Sequence, residues 1–231
     1  MNKVGIIVAM QEELEEILNV MKEIDEKEIF GILFFNGKIE NTKVIVVKSG
    51  IGKVNAARTT QILIDSFNVK SVINVGSAGA LNPFLNIGDI VIAEKLIQHD
   101  FDITAFDHDK GYITGVGDYI YSNCDLVKNI QESANKVKNN EYKISTGIIA
   151  SGDIFCTDIA MKNKIYQKFD AECVEMEGAA IAQVCYLDKV PFVVLRSISD
   201  TPNGKNSVDF DKYVELASKR CADILKEFFK N

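Results

Sequence analysis

Apolar and polar positions divide the chain into alternating strands and helices. Val4 to Ala9, Ser71 to Ala80 and Pro191 to Ser199 are nearly continuous apolar runs, the mark of strands covered on both faces. Between them the period changes to that of helices. Gln11 to Met21 places Leu14, Ile17, Leu18 and Met21 on one stripe, and Val54 to Phe67, Asp125 to Lys138, Asp158 to Lys168 and Asp209 to Phe229 also read as helices. Further strands are expected over Ile29 to Ile39, Thr42 to Ser49, Ile90 to Ile97 and Lys143 to Ser151, with turn signals at Asn36-Gly37 and Glu40-Asn41. Strand alternating with helix, without a linker and with only three prolines, predicts one α/β domain over residues 1–231.

Two interruptions of this pattern carry candidate chemistry. The first is Cys173-Val-Glu-Met-Glu-Gly-Ala-Ala180. Glu175 and Glu177 are two apart, the spacing that puts both carboxylates on one face of an extended segment, and a helix opens at or near Glu177. A carboxylate at a strand-to-helix switch lies beside free backbone N–H groups, and such switch points are where α/β sheets place ligands. The plain alternative is two solvated charges, but Val174, Met176, Gly178 and Ala179 do not resemble a solvated face. The second is Gln98 to Tyr121, an irregular stretch rich in aspartate, glycine and aromatics, expected to be functional or an interface. His99 and His108 lie in it and are read as hydrogen-bonding surface or interface groups, not catalysts.

Other strand ends offer lesser candidates. Ser49-Gly-Ile-Gly-Lys53 is a glycine-rich turn without P-loop spacing. Gly76-Ser-Ala-Gly79 is a small-residue loop that a ligand could approach closely, or simply a tight turn. Glu13 could be one of several acids favoured in a helix's first turn, or could point back over the strand end into a pocket. Phe155 is either core or a stacking platform for an aromatic ligand, and Asp200 either caps the following helix or lines a site.

The remaining composition narrows the field. A net charge of −7 argues against nucleic acid as the main partner. Five cysteines without CxxC spacing, and only two histidines, make a structural zinc site unexpected and suggest reduced thiols in a cytoplasmic protein. The first apolar run is too short, and too soon followed by Gln11-Glu12-Glu13, for a signal peptide or membrane span.

Six motifs occur in order: Gly5-Ile-Ile-Val-Ala-Met-Gln-Glu-Glu13, Ser49-Gly-Ile-Gly-Lys-Val54, Asn74-Val-Gly-Ser-Ala-Gly79, Ser151-Gly-Asp-Ile-Phe155, Val174-Glu-Met-Glu177 and Arg196-Ser-Ile-Ser-Asp200. Together they resemble the 5′-methylthioadenosine/S-adenosylhomocysteine nucleosidases, within the purine-nucleoside phosphorylase superfamily, over about residues 3 to 230. The resemblance implies hydrolysis of the N-glycosidic bond of 5′-thioadenosine nucleosides, with 5′-deoxyadenosine as a further candidate substrate. It also implies a central mixed, twisted sheet flanked by helices, in a homodimer that uses no metal or organic cofactor.

By the same resemblance Asp200 is the acid to adenine N7, oriented by Ser199, and its role requires a largely desolvated carboxyl. Glu13 activates water, and Glu177 binds the ribose hydroxyls and favours the cationic sugar. Met176 packs on the sugar and Phe155 stacks on adenine, with the backbone of Cys156 reading the purine edge. Ser77, Ala78 and Gly79 lie under adenine and the water; Met10, Ile51 and Phe210 line the 5′-alkylthio pocket; Ile103 and Phe106 close the partner's pocket.

A phosphorylase would need Arg or Lys beneath the sugar. The Gly76–Ala80 loop has neither, although Lys53, Arg58 and Arg196 are close in sequence to site motifs, and Arg196 is expected to pair with a nearby carboxylate. Gly178 is a poor helix opener and suggests a looser segment there. The competing readings are a phosphorylase or nucleosidase for another nucleoside, such as inosine or futalosine, and a non-catalytic nucleoside-binding module. The latter should have lost one of the three carboxylates.

Overall fold

The computed structural model describes residues 3–138, 141–201 and 210–230. Its ten strands form one sheet: β1 (Val4–Val8), β2 (Lys22–Ile29), β3 (Ile32–Ile39), β4 (Thr42–Lys48), β5 (Ser71–Ala80), β6 (Ile90–Gln98), β7 (Ile120–Tyr121), β8 (Ile144–Ser151), β9 (Ala171–Glu175) and β10 (Phe192–Asp200). The helices are α1 (Gln11–Asn19), α2 (Lys53–Phe67), α3 (Cys124–Val137), α4 (Ile159–Phe169), α5 (Gly178–Leu187) and α6 (Phe210–Phe228).

The sheet is mixed. β1 pairs in parallel with β4 and β5, and β5 in parallel with β10. β10 runs antiparallel to β6, which pairs in parallel with β8, as β8 does with β9. The last two residues of the ten-residue β5, Gly79 and Ala80, then pair antiparallel with Val174 and Cys173 of β9. Strands β5, β10, β6, β8 and β9 therefore close into a ring. Closure follows from twist: a long, strongly twisted strand can pair with one set of neighbours at its start and another at its end.

One core holds Ile7, Leu63, Val91 and Val194 against Ala179, Ile181 and Cys185 of α5. On the other face Leu14 and Ile17 of α1, Ile130 of α3 and Ile224 and Leu225 of α6 pack on Ile6, Ile73 and Leu195. The uninterrupted burial of β1 and β10 accounts for their continuous apolar sequences.

Two local expectations are corrected. Asn36-Gly37 is not a turn: both residues lie inside β3, paired with Ile45 and Val44 of β4. The chain reverses instead at Phe30-Gly31, where φ is 51° and 76°. The preceding strand β2 carries the sequence Lys-Glu-Ile-Asp-Glu-Lys-Glu-Ile and is exposed along nearly its whole length, so no apolar alternation marks it. Nor does Asp200 cap a helix. It ends β10, ten positions before α6 begins at Phe210.

Candidate active site

A cleft opens where the carboxyl ends of β1, β5, β9 and β10 meet the loops after β4 and β8. Met10, Glu13, Ile51, Ser77, Ala78, Gly79, Phe155, Cys156, Met176, Glu177, Ser199 and Asp200 all line it, with Ala9, Ile154, Val174 and Glu175. Motifs separated by up to 190 positions thus converge on one wall.

Glu13 belongs to the first turn of α1 but points back over the end of β1, and it is 3% exposed. Its Oε2 accepts from the N–H groups of Ala9 at 2.8 Å and Met10 at 3.1 Å. Oε1 accepts from the Ser77 N–H at 3.0 Å. The carboxylate is therefore fixed between the first strand's end and the small-residue loop. Both sequence readings of Glu13 hold: it sits in an acidic helix start, and its oxygens reach the cleft.

The small residues of that loop do not leave room for a ligand at every position. A Cβ on Gly76 would meet Arg196 Nη1 at 2.5 Å and Glu13 Oε1 at 2.8 Å, and one on Gly79 would meet Asp200 Oδ1 at 2.9 Å. The space above these glycines belongs to the site's own charged groups.

The two glutamates at the β9–α5 switch divide their work. Glu175 Oε2 accepts from the N–H groups of Glu177 at 3.0 Å and Gly178 at 2.8 Å. These are first-turn donors of α5 with no partner inside the helix. The same carboxylate takes the Ser151 hydroxyl and the guanidinium of Arg196. Glu177 projects into the cleft. Its Oε1 accepts from the Gly52 N–H at 2.9 Å, and its Oε2 is 3.9 Å from Arg196 Nη2. Gly178 is packed rather than loose: a Cβ there would meet Leu96 Cδ2 at 3.0 Å and Glu175 Oε1 at 3.1 Å.

Arg196 thus pairs with Glu175 and approaches Glu177, and it also donates to Asn74 Oδ1 at 2.6 Å. It is 1% exposed. These carboxylates hold its charge on, against the opposing effect of burial. Glu177 is affected in the opposite sense. Burial, and then the neighbouring charge of Glu175, push its carboxyl up to about 7, although Arg196 and the Gly52 N–H oppose the shift. A carboxyl in this range is half protonated near neutrality, and a developing positive charge in the cleft would draw the proton off.

Asp200 departs from expectation in one respect. Its side chain keeps only 18% of its surface exposed, in keeping with the expected desolvation, but its Oδ2 forms an ion pair with the ammonium of Lys162 that the sequence reading did not include. Lys162 is 1% exposed and also donates to the Thr201 carbonyl at 3.2 Å. Ser199 Oγ lies 3.4 Å from Asp200 Oδ1 and 3.3 Å from the Ala78 carbonyl, a long contact to each. The sequence reading missed Lys162, though a signal existed: Lys162, Ile165 and Phe169 form the buried stripe of α4, and a lysine on such a stripe needs a partner.

Ile103 and Phe106 do not line this chain's cleft. Ile103 precedes and Phe106 ends a short helical turn, Thr104–Phe106, and Phe106 is 75% exposed. Phe210 opens α6, but its side chain lies outside the described residues. Neither histidine reaches the cleft. His108 stacks on Tyr112. His99 is buried with its Nε2 unpartnered, which corrects the expectation of a hydrogen-bonded surface or interface group, and burial lowers its pKa.

Among the described residues, no Lys or Arg side chain lines the cleft. The three basic residues that the sequence singled out beside the motifs are engaged elsewhere. Lys53 pairs with Asp100 at 2.7 Å, Arg58 donates to the Phe30 carbonyl at 2.8 Å, and Arg196 is held as described. Fold and site together define an α/β protein with a cleft walled by carboxylates and backed by an aromatic ring.

Comparison with known proteins agrees. A sequence profile of the phosphorylase superfamily matches residues 3–230. A 5′-methylthioadenosine/S-adenosylhomocysteine nucleosidase of Geobacillus sp. (strain WCH70) is 40% identical over 224 residues, 96% of each chain. Among solved structures, a Helicobacter pylori MTAN mutant with 5′-methylthioadenosine in the active site superposes with a TM-score of 0.93 at 36% identity, covering 100% of this chain and 99% of that one. The futalosine hydrolase of Helicobacter pylori strain 26695 superposes with a TM-score of 0.93 at 37% identity, covering 99% and 97%. The chain belongs to the phosphorylase superfamily and, within it, to the 5′-methylthioadenosine/S-adenosylhomocysteine nucleosidases.

Proposed function

We propose that the protein hydrolyses the N-glycosidic bond of 5′-methylthioadenosine and S-adenosylhomocysteine, releasing adenine and the 5′-thioribose. The observation that carries this reading is the presence of Glu13, Glu177 and Asp200 in one cleft whose lining, among the described residues, contains no Lys or Arg. A phosphorylase must hold an anion beneath the sugar. Here a fixed carboxylate, Glu13, stands at that end of the cleft, where it repels phosphate and suits an activated water.

The bond breaks as the sugar becomes an oxocarbenium-like cation. Asp200 passes a proton to adenine N7, so the base leaves neutral. Glu177 holds the ribose hydroxyls, and its ionised form stabilises the cation that appears only as the bond breaks. Glu13 holds water below the ring and accepts its proton as oxygen joins the anomeric carbon. Phe155 stacks on the purine, the backbone at Cys156 reads its edge, and Met176 packs on the sugar. Met10, Ile51 and Phe210 give the 5′-substituent an apolar seat.

The same reading makes 5′-deoxyadenosine a substrate and the protein a homodimer. In the dimer, Ile103 and the 75%-exposed Phe106 close the partner's cleft. A futalosine-type substrate is a second reading, favoured by the Helicobacter pylori futalosine hydrolase. The apolar Met10 and Ile51 at the rim favour a thioether over it. Asp200→Asn tests the acid role: turnover of methylthioadenosine should fall by about 100-fold or more, while its binding, measured calorimetrically, stays within about threefold. Near-normal turnover in that variant would remove the role.

A further inference from the structure

An acid that protonates a leaving base must hold a proton when the substrate arrives. Asp200 instead presents a carboxylate already in contact with an ammonium group. The question is then where the proton resides.

Lys162 is placed to be its source. It stands on the first turn of α4, on the buried stripe that continues through Ile165 and Phe169, with Cys156, Leu81 and Val174 in the surrounding core. Its ammonium contacts Asp200 Oδ2, although Lys162 itself does not line the cleft, and it also donates to the Thr201 carbonyl at 3.2 Å. A lysine is the one cation suited to this position. It can surrender a proton when its charge is withdrawn from water, whereas an arginine cannot. The backbone also aims the pair. Asp200 pairs with Gly79 across a register shift in the β5–β10 ladder, which turns the carboxylate over the loop beneath the proposed base.

Resting on the proposed nucleosidase reading, we infer that Lys162 is a positioning residue that stores the leaving-group proton and delivers it through Asp200. The step balances. The Lys162 ammonium gives a proton to Asp200 Oδ2, and Asp200 gives a proton to adenine N7. The electron pair of the C1′–N9 bond goes to the base, which departs as neutral adenine. Water adds to the sugar cation and loses its proton to Glu13. Once the products leave, Glu13 releases its proton to solvent and the neutral Lys162 recovers one, so one water is consumed per turnover with no net change in protons. The Asp200 carboxyl is the conduit between Lys162 and the base.

The test compares two leaving groups in Lys162→Met, Lys162→Arg and Asp200→Asn. Methylthioadenosine needs its leaving group protonated; a 4-nitrophenyl 5-methylthioriboside does not. For Lys162→Met, kcat on methylthioadenosine should fall about 100-fold or more, with KM little changed. On the aryl riboside, kcat should stay within about threefold. Lys162→Arg, which keeps the charge but has no transferable proton, should behave like Lys162→Met. Equal losses on both substrates in Lys162→Met would mean a merely structural lysine and overturn the proposal. Near-normal methylthioadenosine turnover in Lys162→Arg would also overturn it, since charge alone would then suffice. Asp200→Asn separates the two claims. If it loses methylthioadenosine turnover selectively while the lysine variants do not, the acid role stands and the proton store falls. If Asp200→Asn spares methylthioadenosine turnover, the acid role itself falls, and the proton store falls with it.

Discussion

Glu177 is the residue whose environment most changes its chemistry. Its carboxyl rises from the usual carboxylate range to about 7, mainly through burial. Between those values the folded chain keeps a proton that the unfolded chain has released. Stability contributed at this position is therefore fully present below about pH 4.5 and is lost as pH rises through about 7. Glu177→Gln, which mimics the protonated form, should stabilise the fold at pH 8 by up to about 3 kcal/mol, with the gain vanishing toward pH 4.5. Thermal unfolding across that range checks it, and a pH-independent effect would contradict it. The cost is retained because an ionised Glu177 is useful only when a cation forms in the cleft. Thiols give a second reading at this scale. Cys124 is exposed, whereas burial raises the thiols of Cys156, Cys173, Cys185 and Cys221. A thiol-alkylating reagent near neutral pH should label Cys124 first, read by peptide mass spectrometry; early loss of Cys173 or Cys185 would mean that the core opens.

At the scale of elements, the β9–α5 switch holds the site together. Glu175 caps the first turn of α5 and neutralises the buried Arg196, and Arg196 in turn lies against Gly76 beside Glu13. Removing the carboxylate would leave a buried guanidinium without its partner. Glu175→Ala should cost about 3–5 kcal/mol in chemical denaturation, and a loss below about 1 kcal/mol would show that Glu177 takes over the pairing. The two-residue spacing of the glutamates was legible in the sequence, and so was their place at a strand-to-helix change. Which one capped the helix was not, because that depends on the backbone rotation at Glu177, where φ is −133° and ψ −41°. Strand β2 was illegible for another reason. Its eight residues bury almost nothing, so its pairing with β3 rests on backbone hydrogen bonds that leave no hydrophobic pattern.

At the scale of the molecule, the apolar runs of β1, β5 and β10 announced a buried sheet, and the six motifs announced a common wall. The ring formed by β5, β10, β6, β8 and β9 was not foreseeable from those runs, since closure depends on the last two residues of β5 changing partner. That ring is what brings Asp200 and Glu177 to one cleft, on strands running in opposite senses. The Lys162–Asp200 pair was missed for a related reason: ion pairs 38 positions apart have no local signature. The exposed turn around Phe106 extends the account beyond one chain. Phe106→Ala should raise KM for methylthioadenosine several-fold if that turn closes a partner's cleft, and should leave kcat/KM unchanged if it does not.

The most direct test of the whole account is adenine release from methylthioadenosine in phosphate-free buffer, repeated with added phosphate, with the sugar product identified in both. The account predicts equal release under both conditions and free 5-methylthioribose as the product. Release that requires phosphate and yields a sugar 1-phosphate would contradict it, because the Glu13 end of the cleft would then be receiving an anion rather than a water.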